Sequence, residues 1–220
     1  KGEILGLAGL MGAGRTEVAE AVMGMRTLDE GEIYLNGKRI INKIPADAVK
    51  RGILMVPEDR KKNGIVLKLS VRDNLLMSSL KKCLKNGYLQ KKTEDGFCEA
   101  YKKKLEIKCS STQQKSGELS GGNQQKVIIG RILNADPDII ILDEPTRGID
   151  VKTKSDIHRL MSQLACEGKA VLMISSELPE VIGMSDRVLI LNEGRVTGLL
   201  ERKEATPDLI LKYAVKKEEN

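Results

Sequence analysis

Three short stretches carry residue types and spacings suited to chemistry. The first is GLMGAGRT, residues 9–16, with Gly9 and Gly14 separated by four residues and followed by Arg15 and Thr16. Consecutive backbone N–H groups of Gly12, Ala13, Gly14, Arg15 and Thr16 can form a nest for phosphate oxygens, reinforced by the positive end of a following helix. The Thr16 hydroxyl would be offered to Mg²⁺. Phosphate loops of this spacing ordinarily end in Gly-Lys-Ser/Thr, and here the cation is Arg15. Taken alone, the stretch fits either a phosphate loop or a tight turn. It does not fit a dinucleotide fingerprint, whose third glycine would fall at Glu17.

The second stretch is DIIILDEP, residues 138–145, an apolar strand ending in two adjacent carboxylates. Such a pair is costly at a strand end unless a cation or water chemistry uses it. Asp143 suits a Mg²⁺ ligand, direct or through water, and Glu144 suits a base that orients an attacking water. The third is LSGGNQQK, residues 119–126. A serine and two glycines open a helix there, so a second anion site is built from bare backbone, a hydroxyl and a helix N-terminus. A plain capping sequence would not need both glycines, which weaken a helix start.

The elements that must position these residues are legible from periodicity. EILGLAG reads as a strand running into the glycine loop, and TEVAEAVMG as the helix after it. GEIYLNGKRI reads as a hairpin turning at Asn36-Gly37. ADAVKRG then reads as a short helix and ILMVP as a strand. Residues 67–118 are Lys-rich and helical with no strand pattern, and read as an inserted helical subdomain. After Leu119, helices alternate with the buried strands DIIILD and AVLMIS, followed by the short helix ELPEVIGM. An edge hairpin, DRVLILNEGRVTGLLE, precedes a last helix capped by Thr206 with Pro207 at its first position. The tail KKEEN reads as frayed. Buried strands alternating with helices predict an α/β fold with a mostly parallel sheet covered on both faces.

Composition bounds the function classes. The chain has 220 residues, 40% apolar and 31% charged. That is enough for one domain with a substantial core. No apolar run is long enough to span a bilayer, and no signal-peptide pattern is present. The opening strand without an initiator Met reads as part of something longer. The net charge is +6, but the basic runs lack interleaved aromatics. With four Tyr, one Phe and no Trp, base-stacking platforms are not expected, and the lysines read as a solvated surface. Cys83, Cys98, Cys109 and Cys166 form no CxxC pair and His158 is the only histidine, which argues against zinc and for a reducing, cytoplasmic compartment.

In order and spacing, the three stretches resemble the ATP-binding cassette (ABC) ATPases, the motor domains of transporters, over nearly the whole chain. The resemblance implies an α/β P-loop NTPase core of the ABC type at 1–67 and 119–220, an inserted helical subdomain at 68–118, and N-terminal strands truncated. GLMGAGRTE, VPEDRKKNG, LSGGNQQK, LDEPTRGIDV and ISSELPEV together look like the second cassette of double-cassette proteins that power bacterial ribose, galactose and related importers. The implied ligands are ATP and Mg²⁺. The implied partners are a second cassette, membrane permease subunits and, indirectly, a sugar-binding protein, with the chain peripheral on the inner face of the membrane and no nucleic acid involved. Nucleotide would be sandwiched between the phosphate loop of one cassette and the signature of the other.

Carried over position by position, Leu119, Ser120, Gly121, Gly122 and Asn123 are the signature and Asp150 is the acid of the loop after LDEP. Asp143 and Thr16 would serve the metal and Glu144 would be the catalytic base. Three positions depart from the pattern: Arg15 replaces the lysine, Glu58 the glutamine that links metal to permease, and Ser176 the switch histidine. His158 lies mid-helix and reads as a surface or core residue. Arg15 is a planar fork that binds phosphate without taking the place of a compact ammonium. Losing one preorganised contact typically costs roughly a hundred- to thousandfold in rate. The chain is therefore expected to hold Mg-nucleotide, to be a poor engine at its own site, and to lend an intact signature to its partner. A non-hydrolysing regulatory module is the alternative. A nucleic-acid-associated cassette would carry zinc inserts or heptad arms, and none is visible.

Overall fold

A computed structural model describes residues 1–215; the tail read as frayed, 216–220, lies outside the described residues. The chain divides into two compact units. The first comprises Lys1–Met55, Asp138–Pro145 and His158–Asn220, and the second Val56–Pro137 and Thr146–Ile157.

The first unit is built on six strands in the order β10-β9-β1-β8-β7-β4. These are β1 (Glu3–Gly9), β4 (Ile53–Val56), β7 (Ile139–Asp143), β8 (Ala170–Ile174), β9 (Arg187–Asn192) and β10 (Arg195–Glu201). β1 pairs in parallel with β8 and β9, β7 pairs in parallel with β8, and the final hairpin β9–β10 is antiparallel. Central strands buried on both faces need near-continuous apolar sequence, and IIIL and AVLMI supply it. Leu7, Ile141, Ile174 and Leu191 pack with Ala19 and Met23 of α1 (Arg15–Met23) and with Ala48 of α2 (Pro45–Lys50). Burying each such aliphatic side chain stabilises the fold by about 1.5–3 kcal/mol. A separate ribbon, β2 (Ile33–Leu35) with β3 (Lys38–Ile40), turns at Asn36-Gly37, both at positive φ (51° and 76°), as the Asn-Gly signal requires.

The register aligns the strand ends that matter. Leu7 and Asp143 both lie beside Ile174. The glycine loop after β1, the acids at the end of β7 and Ser175-Ser176 after β8 therefore leave the sheet at one edge. Ligands of parallel α/β sheets bind outside such carboxyl ends.

The second unit is mainly helical: α3 (Val71–Leu76), α4 (Lys91–Lys104) and α5 (Gly121–Asn134) pack on one another. Ser70 caps α3, accepting from Asp73 N at 3.0 Å, while Asp73 Oδ2 accepts from Ser70 N at 3.3 Å. Asn74, 1% exposed, donates to Val66 O, Ser70 O and Ser116 Oγ at 3.0 Å each, fastening the loops on either side of the helices. The expected insert, 68–118, falls inside this unit, which also takes in 56–67, 119–137 and 146–157. One feature corrects the sequence reading. Leu84–Lys85 (β5) and Tyr88–Leu89 (β6) form a small antiparallel hairpin where no strand was expected. Its turn is Asn86-Gly87, at φ 52° and 81°. The turn signal was present, but two-residue strands are too short to show a period of two. Helix α6 (Val151–Cys166) begins in the second unit and continues in the first, followed by α7 (Leu178–Met184) and α8 (Pro207–Ala214). Among the described residues no helix is long and apolar enough to cross a membrane.

Candidate functional site

At the strand edge of the first unit, the glycine loop has the geometry of a nest. Gly12 and Gly14 sit at φ 81° and 96°, and no side chain caps the N-terminus of α1. The leading N–H groups of that helix therefore keep their capacity to meet an anion. A Cβ on Gly12 would meet nothing within 4 Å, whereas one on Gly9 would sit 2.5 Å from Leu191 O and 2.8 Å from the Ala13 Cβ. Space thus opens over the loop, and its base is packed.

Around this loop the charged and polar side chains are engaged with one another. Thr16 Oγ1 donates to Asp143 Oδ2 at 2.9 Å, and Asp143 is 1% exposed. Arg15 Nη1 donates to Ser175 O at 2.7 Å, and Arg15 Nη2 lies 3.9 Å from Glu144 Oε1. Ser176 Oγ donates to Glu144 Oε2 at 3.0 Å. Arg15, Thr16, Asp143, Glu144 and Ser176 are therefore brought together as the sequence suggested. Glu144 also has φ 47°, the left-handed region that a residue with a Cβ enters at a cost of about 1–2 kcal/mol. Its amide is held by Ile174 O at 2.9 Å. Nothing in local sequence announces that conformation. A hydroxyl and a carboxylate are hard oxygen donors, so Thr16 and Asp143 fit Mg²⁺, which takes few protein ligands and fills its shell with phosphate oxygens and water.

The signature lies in the second unit. Ser120 caps α5, accepting from Asn123 N at 3.4 Å and Asn123 Nδ2 at 2.9 Å. Asn123 Oδ1 accepts from Lys108 N at 2.7 Å, tying the cap to the chain before it. Asp150 accepts from Thr153 N at 3.0 Å and Thr153 Oγ1 at 2.8 Å at the start of α6. These bonds, the backbone one foremost, hold its carboxyl below the usual range. Gly122 is there for close packing: a Cβ would lie 2.7 Å from Thr153 Oγ1 and 3.1 Å from Asp150 Oδ2. The bare backbone that the sequence assigned to an anion is thus also demanded by the neighbouring helix. Lys126 and Asp156 close this side with an ion pair at 2.8 Å, Lys126 being 8% exposed.

Glu58 sits in a cleft of ≈ 520 Å³ with Asp59, Arg60, Lys61, Arg147 and Gly148. Its carboxylate pairs with Arg147. Arg60 donates to Arg147 O at 3.0 Å and Gly148 O at 3.3 Å. The negative charge introduced at Glu58 is therefore met by a cation of its own unit. Sequence reasoning missed Arg60, Arg147 and Thr153. It also left His158 without a task, although His158 Nε2 lies 2.6 Å from Glu180 Oε1.

A nest after a central parallel strand, an adjoining Asp-Glu strand end and a Ser-Gly-Gly helix start define an ATP-binding cassette. Residues 1–147 match the family described as ABC transporter, and the chain belongs to that family. It is 48% identical over 214 residues to the ribose import ATP-binding protein RbsA of Oceanobacillus iheyensis, covering 97% of this chain and 43% of that protein. It is 49% identical to a putative ribose/galactose/methyl galactoside import ATP-binding protein of Halalkalibacterium halodurans, covering 97% and 41%. The chain thus spans less than half the length of these relatives. Among solved structures, an ATP-binding cassette of an ABC transporter in its ADP conformation superposes with a TM-score of 0.77 at 25% identity, covering 98% of this chain and 89% of that one.

Proposed function

We propose that this chain is a nucleotide-binding domain that couples ATP binding and hydrolysis to monosaccharide import, on the inner face of the cell membrane. Its partners on this reading are a second cassette, a membrane permease and, indirectly, a sugar-binding protein. The names of its relatives support the sugar, and a length less than half of theirs supports a second cassette in the same protein. Within the chain, 1–67 and 119–220 form the nucleotide-binding core and 68–118 the helical subdomain.

One observation carries the reading that its own site is a weak engine. The single cation of the phosphate loop is already bound to Ser175 O and faces Glu144. To reach a phosphate, Arg15 must leave a carbonyl and a carboxylate, and that exchange offsets part of the gain. Glu144, the proposed base, is flanked by Arg15 and Ser176, where a histidine would otherwise complete the site. Thr16 and Asp143 would hold Mg²⁺, which when bound would supply charge neutralisation at the phosphates. The chain's own contribution is binding and orientation: the Gly12–Thr16 amides seat phosphate oxygens, and Ser176 and Glu144 face the water. Ser120, Gly121, Gly122, Asn123 and Asp150 serve the partner's nucleotide. The contact of Arg15 with Glu144 also favours the second reading, a cassette that binds nucleotide without hydrolysing it.

A phosphate-release assay on the chain tests this. We expect Mg-ATP binding with turnover barely above background. Turnover of about 1 s⁻¹, in the ordinary enzyme range, would overturn the weak-engine reading.

A further inference from the structure

We infer that His158 is a positioning residue for the phosphate loop, acting on Arg15 through Glu180 and Ser175. Four contacts in the first unit carry this. His158 Nε2 lies 2.6 Å from Glu180 Oε1, and Ser175 Oγ donates to Glu180 Oε2 at 2.5 Å. Ser175 Oγ also accepts from Glu177 N at 3.1 Å, and Ser175 O accepts Arg15 Nη1 at 2.7 Å. Glu180 is 3% exposed and Ser175 1%.

A carboxylate so deeply buried is held in place by its donors. Both Glu180 oxygens have one: the imidazole from α6 on one side, the Ser175 hydroxyl at the end of β8 on the other. That hydroxyl is used in both directions, donating to Glu180 and accepting from Glu177 N. Its rotamer is therefore fixed, and with it the peptide plane whose carbonyl receives Arg15. Arg15 is the residue that departs most from the expected loop, and its docking point is set by a histidine 143 positions away in sequence, by subtraction of 15 from 158. Losing the imidazole would remove the contact it makes with Glu180 Oε1, shifting Ser175 and loosening the guanidinium. Arg15 must leave Ser175 O to reach a phosphate, so a carbonyl held firmly in place opposes that exchange. His158 thus tunes nucleotide affinity without touching nucleotide. This inference rests on the reading above that Arg15 faces a phosphate.

The experiment uses the 220-residue chain with Mg-ATP as the calorimetric probe. His158→Ala should tighten binding about five- to tenfold, the scale of one ordinary intramolecular hydrogen bond. His158→Gln, which returns an Nε2 donor, should bring binding back to within about twofold of the parent. In an Arg15→Ala background, His158→Ala should change affinity no further, because the two act as one unit. A nucleotide-free readout runs beside it. The Arg15 guanidinium should give resolved nitrogen-15 side-chain signals in the parent and His158→Gln, and lose them in His158→Ala. A loss of affinity in His158→Ala, equal changes with and without Arg15, or unchanged Arg15 signals in His158→Ala would overturn the inference. If the parent binds no Mg-ATP, the nucleotide reading of this site fails, and the Arg15 signals alone decide whether His158 positions that residue.

Discussion

The strand-edge site of the first unit and the helix-start site of the second are, on this reading, made for the same anion from opposite materials. At the strand edge, long charged side chains satisfy each other: Arg15 binds Ser175 O and faces Glu144, Thr16 binds Asp143, and Ser176 binds Glu144. Any phosphate must displace some of these contacts. At the helix start, the materials are Ser120, two glycines and backbone N–H groups, held from behind by Thr153, Lys108 and Lys126. What has to be undone there is the Ser120 cap on Asn123, a contact between neutral groups. The lesson is that preorganisation is set by which groups are already committed to the protein, and not by the count of charges.

The sharpest way to break this comparison is at Gly122. Its substitution has two possible causes of failure, a clash inside the chain and a blocked approach of the partner's phosphate. Gly122→Ala brings a Cβ onto Thr153. We expect turnover of the assembled two-cassette protein to fall more than ~100-fold. The double variant Gly122→Ala/Thr153→Ala removes the Thr153 part of the clash, leaving the 3.1 Å approach to Asp150 Oδ2, and should recover most of the thermal melt but little of the turnover. Full recovery of turnover would reduce Gly122 to a packing residue.

A smaller effect is expected at Arg15. Lysine presents one compact ammonium, whereas the guanidinium spans Ser175 O and Glu144 with two separate nitrogens. Arg15→Lys should therefore tighten Mg-ATP binding by about tenfold while raising turnover far less, since Ser176 and Glu58 remain. Calorimetry beside phosphate release separates the two, and full activity from the single change would show the missing histidine to be unimportant.

Glu144→Gln should matter less again. In the assembled protein, total ATPase activity should drop by less than about twofold if, as proposed, the site it serves contributes little. Near-complete loss in a variant that melts like the parent would make the strand-edge site the engine despite Arg15.

The smallest effect sharpens the account of the helix start. Asp150, whose carboxyl is held low first by Thr153 N and then by its hydroxyl, contributes stability above its ordinary pKa of 3.8. That contribution is lost as pH falls through its lowered folded value. In Thr153→Ala the backbone donor remains, so the carbon-13 titration midpoint of Asp150 should rise part of the way towards 3.8. A full return to 3.8 would mean that the hydroxyl, and not the helix start, holds the charge.

The sequence alone determined what local physics specifies. Strand–glycine loop–helix, the Asp143-Glu144 strand end, Ser120 and Thr206 as caps, and the Asn36-Gly37 turn all stand in the structure as their residues predict. Each depends on neighbours within a few positions, where backbone preference and side-chain reach are fixed by residue type. The same signal at Asn86-Gly87 went unread because two-residue strands carry no pattern around it. Tertiary structure alone decided the partners of those residues. The order β1-β8-β7 and its register bring Arg15 to Ser175 across 160 positions and Thr16 to Asp143 across 127. Glu58 meets Arg147, Gly122 meets Thr153 and His158 meets Glu180 for the same reason. Such pairings follow from strand order and helix packing, which are properties of the whole buried core. Local spacing could point to a phosphate site, but not to which of its charges were already engaged.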